Sequence, residues 1–165
     1  MSGIRFLALA VAVTFASIHS GCVGEQPTQV TISGGASPIF TLLGNGDLAT
    51  FTVYLVPPDS EHMAQPISTT PPVWRIVAKP DFLHGRPISQ MRHLMYGVVP
   101  KGYQQTSDPQ AIIPGTTYYF NCETTNAPSA WGFFRVENGK AMPTEAKLPC
   151  LDMRNGKWIT VPCSQ

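Results

Sequence analysis

The sequence "IIPGTTYYFNC", residues 112–122, joins a tight turn to a strand whose two faces differ in polarity. Pro114 and Gly115 suit a sharp turn, because proline fixes its own φ and glycine accepts a positive φ. Beyond the turn, apolar side chains fall at alternate positions, namely Tyr118, Phe120 and Cys122. Alternation with a period of two is typical of a strand that is buried on one face only. We therefore predict a half-buried strand in which these three residues, including the Cys122 thiol, face the core.

The turn and the strand together resemble the corner that leads into strand F of fibronectin type III domains. The residues that carry this resemblance are Ile112, Pro114, Gly115 and Tyr118. In that family the tyrosine packs inside, and its hydroxyl bonds to the backbone near the turn. We expect this hydroxyl to satisfy a carbonyl that the turn leaves without a partner. The resemblance implies an all-β sandwich of the fibronectin type III or immunoglobulin-like kind over residues 27–139, with Trp74 in the core as the tryptophan of strand C.

The rest of the chain also favours strands. Sixteen prolines and fourteen glycines punctuate it, and no segment long enough for a helix keeps a 3.6-residue apolar period between them. We predict further strands at 26–31, 39–43, 48–56, 73–78, 95–99 and 131–136. Residues 57–72 contain five prolines and are predicted to form an exposed loop.

Residues 140–165 are predicted to form a separate C-terminal hairpin closed by a Cys150–Cys163 disulfide. A two-residue Asn155-Gly156 turn would leave these cysteines diagonal to each other, whereas a four-residue loop would place them directly opposite. Because a disulfide needs Cα atoms about 5.5 Å apart, we favour the four-residue loop. An isolated hairpin is marginal in water, so we expect it to dock with Trp158 or Ile159 on the sandwich.

The N-terminus has the composition of a signal peptide. Residues 6–18 are uncharged and largely apolar, which fits the central region of such a peptide and is too short to span a bilayer. The following Ser20-Gly21-Cys22 resembles a bacterial lipobox, although His19 stands where leucine is usual. The resemblance implies a signal peptide at 1–21, lipidation of Cys22 and a tether at 22–26. The alternative is cleavage without lipid, which would leave the protein periplasmic or secreted.

Lipidation would place the protein on a membrane. Only a thiol forms the thioether to diacylglycerol, and a further acyl chain such as palmitate is added to the new amino group. Two or three chains anchor a protein stably, since each buried CH₂ contributes about 0.8 kcal/mol. By the sorting rule of enteric bacteria, Val23 in place of Asp after the cysteine implies the outer membrane.

Charge excludes one class of partner. The chain has eleven Lys and Arg against ten Asp and Glu, and removal of Arg5 with the signal peptide leaves ten of each. Nucleic acids require clustered cations, so we expect no nucleic-acid partner.

Candidate chemical groups are few. Asp59, Glu61 and His62 lie in the proline-rich loop, and His84 and His93 lie with Arg86 and Arg92 in a locally basic segment. We find no nucleophile elbow, phosphate loop, His-Glu-x-x-His motif or carboxylate pair, and therefore expect no catalytic residue, metal or cofactor. The main hypothesis is a binding or scaffolding module of the cell envelope with a protein partner. The alternatives are a small hydrolase built from loops 57–72 and 79–94, and an envelope inhibitor or assembly partner.

Overall fold

The computed structural model describes residues 26–56, 71–82 and 85–145, and the backbone of 150–154 and 157–161. The prediction of an all-β chain is confirmed. Apart from strands, turns and bends, the described residues contain two single 3-10 turns, at Pro80–Phe82 and Ile88–Gln90.

The described strands are β1 (Gln29–Gly34), β2 (Pro38–Leu43), β3 (Asp47–Leu55), β4 (Pro72–Ala78), β5 (Arg86–Pro87), β6 (His93–Met95), β7 (Tyr103–Ser107), β8 (Thr117–Thr125), β9 (Ala130–Glu137), β10 (Lys140–Thr144), β11 (Cys150–Arg154) and β12 (Lys157–Val161). The larger sheet has the order β10-β9-β8-β3-β4-β7, with the short β5 also paired to β3. The smaller sheet has the order β1-β2-β6, and β11 and β12 form a hairpin. All of these pairs are antiparallel.

The core lies between the two sheets and is centred on Phe40 of β2. The Phe40 ring centroid lies 4.7 Å from that of Phe51, 5.7 Å from that of Phe120 and 5.5 Å from that of Phe134. These three rings belong to β3, β8 and β9, so one side chain of the smaller sheet contacts three strands of the larger one. Other fully buried side chains complete this core, among them Leu42, Leu48, Trp74, Ile76 and Leu94.

The turn before β8 is held by the Tyr118 hydroxyl. Tyr118 is buried, and its hydroxyl accepts a 2.9 Å hydrogen bond from the backbone N–H of Ile113. The expected partner was a carbonyl, but the Ile113 carbonyl already accepts the N–H of Thr116 within the turn. The Tyr118 hydroxyl therefore serves as the acceptor for the Ile113 N–H. Gly115 has φ +78°, a conformation that glycine adopts without strain.

Trp74 is fully buried on β4, with its ring 6.0 Å from that of Phe51 and 5.2 Å from that of Tyr96. Its strand differs from the expected one. β3 pairs with β8 on one side and with β4 on the other, so β3 is the neighbour of β8 and carries Phe51 opposite Cys122. Trp74 therefore lies one strand further out than the tryptophan of an immunoglobulin strand C.

The sandwich continues beyond the boundary that the sequence suggested at residue 139. β10 pairs with β9 along its whole length, and Ala141 on this strand is buried. Asn138 and Gly139, both with positive φ, form the tight turn between the two strands. This turn makes a hairpin within the sheet and does not end the domain.

The prediction of a four-residue loop in the C-terminal hairpin is wrong. The register pairs Cys150 with Val161 and Arg154 with Lys157, which leaves Asn155-Gly156 as a two-residue connection. Asn-Gly favours such a connection because both residues accept the positive φ of the turn type whose twist matches the strands. Cys163 and the side chain of Cys150 lie outside the described residues, so their disulfide stays a prediction.

Two predicted strands have shifted limits. The first strand runs over Gln29–Gly34 instead of 26–31, and β6 covers His93–Met95 instead of 95–99. β6 ends where Gly97 adopts φ +80° and the Val98 N–H bonds back to the Met95 carbonyl. This turn leaves Val98 and Val99 exposed, although their composition favours a strand.

Replacement of Tyr118 by Phe should weaken the fold by about 1–2 kcal/mol, because it removes the acceptor for the Ile113 N–H and leaves the packing of the ring intact. Equilibrium urea unfolding measures this difference. Tyr119→Phe, on the outward face of the same strand, is the matched control and should change stability by less than about 0.5 kcal/mol. Equal effects of the two substitutions would show that the hydroxyl does not hold the turn.

Candidate functional site

The outward face of the larger sheet carries a cluster of four aromatic side chains. They are Tyr54 on β3, Tyr119 on β8, and Trp131 and Phe133 on β9. The register places Tyr54 opposite Tyr119 and Tyr119 opposite Phe133, so three of the rings form a row across three strands. Trp131 lies two residues before Phe133 and therefore on the same face. We call these four residues the aromatic face.

The rings of the aromatic face contact one another. Tyr119 is at the centre, with its ring centroid 6.0 Å from that of Tyr54, 5.3 Å from that of Phe133 and 6.4 Å from that of Trp131. Trp131 is 64% exposed, whereas Phe133 is only 7% exposed. The Trp131 indole is thus mostly in water, and the neighbouring Phe133 ring is almost fully covered.

Gly132 makes room for a core ring between two outward aromatic side chains of β9. It lies opposite Phe120, and a Cβ at this position would lie 2.8 Å from the Phe120 ring. The absence of a side chain lets the Phe120 ring pack against β9 from the core side. Trp131 and Phe133, on either side of the glycine, face outward.

Polar groups border the aromatic face. Asn121 donates a 3.0 Å hydrogen bond to Glu123 on β8, and Arg135 donates to the Thr117 hydroxyl. Arg135 also forms an exposed 3.1 Å ion pair with Glu137. Burial, followed by the neighbouring Tyr54 and Glu123, raises the pKa of Tyr119, so this hydroxyl is neutral at physiological pH. The face is therefore an uncharged aromatic patch with charged groups at its margin.

The face also has an apolar neighbour on the edge strand. Met142 on β10 lies opposite Arg135 and is half exposed. Tryptophan, tyrosine, phenylalanine, methionine and arginine are the residue types enriched in protein interfaces.

Cys122 is a buried thiol on the core side of β8. It has no exposed surface, and burial, followed by the charge of Glu123, raises its pKa to about 12. The thiol is therefore protonated at neutral pH, whereas a nucleophilic cysteine requires the thiolate. This environment is that of a packing residue.

Of the groups considered for catalysis, His93, Arg86 and Arg92 lie in the described part of the chain. His93 is exposed on the outer face of the smaller sheet, and its Nδ1 lies 3.1 Å from the Thr41 hydroxyl. The Arg86 guanidinium donates to the Lys101 carbonyl, and Arg92 is exposed. Asp59, Glu61, His62 and His84 lie outside the described residues. Within the described ranges no group of three or more His, Cys, Asp or Glu side chains is arranged to hold a metal ion.

Two further tyrosines, which the sequence did not indicate, have structural roles. The Tyr96 hydroxyl donates to the backbone carbonyls of Val73 and Gln110, and burial raises its pKa to about 12. The Tyr103 hydroxyl donates to the Leu48 carbonyl and accepts the N–H of Arg86. Both hydroxyls therefore connect backbone segments that are distant in sequence.

The aromatic face was missed in the sequence because it depends on the pairing of three strands. The available signal was the presence of Tyr54, Tyr119 and Trp131 at outward positions of their strands, where polar residues are usual. Cys22 and Cys163 lie outside the described residues, as does the side chain of Cys150. No helix in the described part of the chain is long and apolar enough to cross a membrane.

Comparison of the chain with protein-family models, with curated proteins and with solved structures finds no match.

Proposed function

We propose that this protein is a lipid-anchored module of the bacterial cell envelope, held in the outer membrane through Cys22, that binds a protein partner through the aromatic face. The observation that carries the proposal is Trp131, which is 64% exposed at the edge of a cluster of contacting rings. An exposed indole on a rigid sheet is the type of residue that dominates the binding energy of protein interfaces. No step of this role requires catalysis.

The geometry of the rings favours a protein partner over a row of stacked sugars or bases. Within the cluster the ring planes are inclined to one another by 34° to 79°. Such rings do not form one flat stacking surface. They form an uneven apolar surface with Met142 and Arg135 beside it, which fits the irregular side chains of a protein.

The strand order supports an immunoglobulin-like or fibronectin-like identity for the sandwich. In immunoglobulin domains, strands A, B and E share one sheet and strands C, F and G share the other. Here β1, β2 and β6 correspond to A, B and E, and β3, β8 and β9 correspond to C, F and G. In this assignment β4, β7 and β10 widen the second sheet, and the Tyr118 corner precedes the strand equivalent to F.

The N-terminal end of the sandwich lies near the Trp131 end of the aromatic face. The Thr28 N–H donates to the Pro128 carbonyl, three residues before Trp131. Gln26 follows Cys22 by four residues, which reach at most about 14 Å when fully extended. A lipid on Cys22 therefore keeps the Trp131 end of the sandwich close to the bilayer, where a partner at the membrane surface can reach it.

Metabolic labelling with a fatty-acid analogue tests the anchor. The full-length chain should incorporate the label and fractionate with membranes, and Cys22→Ala should lose both properties because it lacks the thiol that forms the thioether. An unlabelled wild-type protein would contradict the anchor, and would favour the periplasmic or secreted alternative.

Site-specific photocrosslinking in cells tests the binding face. A benzophenone amino acid in place of Met142, which is half exposed beside the aromatic face, should give a discrete adduct with one envelope protein, and Trp131→Ala should lower its yield. The same group in place of His93, which is exposed on the opposite sheet, is the control and should not give this adduct. Adducts of equal yield from both positions, or an adduct from position 142 that Trp131→Ala leaves unchanged, would refute a specific site on the aromatic face.

A further inference from the structure

Three cations and an aromatic ring come together around Gly102, just before β7. The backbone N–H of Lys79 donates a 3.0 Å hydrogen bond to the Gly102 carbonyl, and the Phe82 N–H donates to the Lys79 carbonyl. The Arg86 guanidinium donates a 3.0 Å hydrogen bond to the carbonyl of Lys101, which is itself exposed. We call Lys79, Phe82, Arg86 and Lys101 the basic patch.

Gly102 permits this close packing. It adopts φ +91°, and a Cβ at this position would lie 3.2 Å from Arg86 Cδ and 3.2 Å from the Phe82 ring. The Phe82 ring and the apolar stem of Arg86 therefore lie directly against the backbone of residue 102. Phe82 is still 40% exposed, so an aromatic ring lies at the surface beside the cations.

The positive charge of the basic patch is little compensated. The described residues of this segment, 79–82 and 85–102, contain four Lys and Arg and one carboxylate, that of Asp81. Asp47, on the strand that pairs with β5, adds a second carboxylate, which accepts a hydrogen bond from Asn126. The second acceptor of the Arg86 guanidinium is the uncharged side-chain oxygen of Gln90. The cations therefore outnumber the carboxylates four to two.

The basic patch lies at the end of the sandwich where the chain enters. The side chain of Asn45 accepts the Gln26 N–H, and the carbonyl of the next residue, Gly46, accepts the N–H of Ile88 just after β5. One turn thus contacts both the N-terminal end of the described chain and the segment that carries the patch. A lipid on Cys22 would hold this end of the sandwich at the bilayer.

The basic patch is separate from the aromatic face. Trp131 lies on β9, whereas Lys101 precedes β7, and three strands of the larger sheet lie between β9 and β7. At about 4.8 Å from strand to strand, β9 and β7 are about 19 Å apart. A surface that contacts the patch therefore leaves Trp131 accessible to a partner.

We propose that the basic patch binds the headgroups of an anionic phospholipid bilayer and thereby orients the sandwich on the membrane. Each Lys or Arg near such a bilayer raises the affinity about fivefold, and an exposed aromatic ring suits the headgroup level. The position at the anchored end favours a bilayer over a soluble acidic partner, because a lipid chain would make the contact intramolecular. The headgroup binding is a property of the patch, whereas the orientation rests on the proposed function.

NMR with vesicles tests the headgroup binding in the absence of a lipid anchor. The ¹⁵N-labelled chain of residues 22–165 with Cys22→Ala retains every described residue and has no thiol for lipid at position 22. At about 0.1 M salt, vesicles of phosphatidylcholine and phosphatidylglycerol with a nitroxide headgroup lipid should attenuate the Gly102 N–H signal. The signal of Gly139, in the turn at the far end of β9, should be retained. Phosphatidylcholine vesicles with the same nitroxide lipid should attenuate neither signal.

Substitutions of equal charge locate the binding. Lys79→Gln combined with Lys101→Gln should weaken it about 30-fold and remove the attenuation of Gly102, because two charges of the patch are lost. Arg75→Gln combined with Lys140→Gln removes two exposed cations outside the patch, and this matched control should retain the attenuation. An unchanged indole signal of buried Trp74 shows that each variant is folded.

The proposal is overturned by equal attenuation of Gly102 and Gly139, or by equal losses in the patch variant and the control. Inorganic phosphate at constant ionic strength should leave the attenuation in place, and displacement by it would show a site for a soluble anion instead of a bilayer. Fatty-acid labelling separates this result from the proposed function. A chain that takes up no label but shows attenuation would contradict the anchor alone, and a labelled chain without attenuation would contradict the patch alone.

Discussion

The packing of Phe40 against three strands of the opposite sheet is the contact that makes two sheets into one domain. Phe40 lies on the central strand of the smaller sheet, and its ring touches those of Phe51, Phe120 and Phe134. Aromatic pairs at these distances add about 0.5–1.5 kcal/mol each beyond the burial of their area. Because the three partner strands are adjacent, one inserted ring also fixes which face of β3, β8 and β9 is turned inward.

The face of β3, β8 and β9 that is buried also determines which side chains lie on the outward face of the sheet. On β8, the burial of Tyr118, Phe120 and Cys122 forces Tyr119 outward, since successive side chains of a strand alternate. On β9, the burial of Phe134 turns Phe133 outward in the same way. The aromatic face is therefore the reverse side of the core. Its rings are held by strands that cannot rotate without loss of the core, so the backbone beneath the face is rigid.

The sequence was sufficient for features that depend on neighbouring residues. The alternation at 118–122, the turn at Pro114 and Gly115, and the all-β class follow from local pattern. Features that depend on strand pairing were not available from one sequence. The position of β3 between β4 and β8 depends on residues distant in sequence. So does the register shift between Leu48 and Thr50, which lets both Leu48 and Phe51 enter the core. The hairpin turn is a different case, because the Asn155-Gly156 pair did indicate a two-residue connection. The four-residue loop was favoured over it only because that loop would place Cys150 and Cys163 directly opposite each other.

Equilibrium urea unfolding of two alanine variants, Trp74→Ala and Trp131→Ala, measures most directly whether the core and not the aromatic face holds the fold together. Trp74→Ala should reduce the free energy of unfolding by about 3–5 kcal/mol, because it removes a fully buried indole from the core. Trp131→Ala should reduce it by less than about 1 kcal/mol, because that indole is mostly in water. A loss at Trp131 as large as that at Trp74 would contradict the account, since the aromatic face would then be part of what holds the fold together.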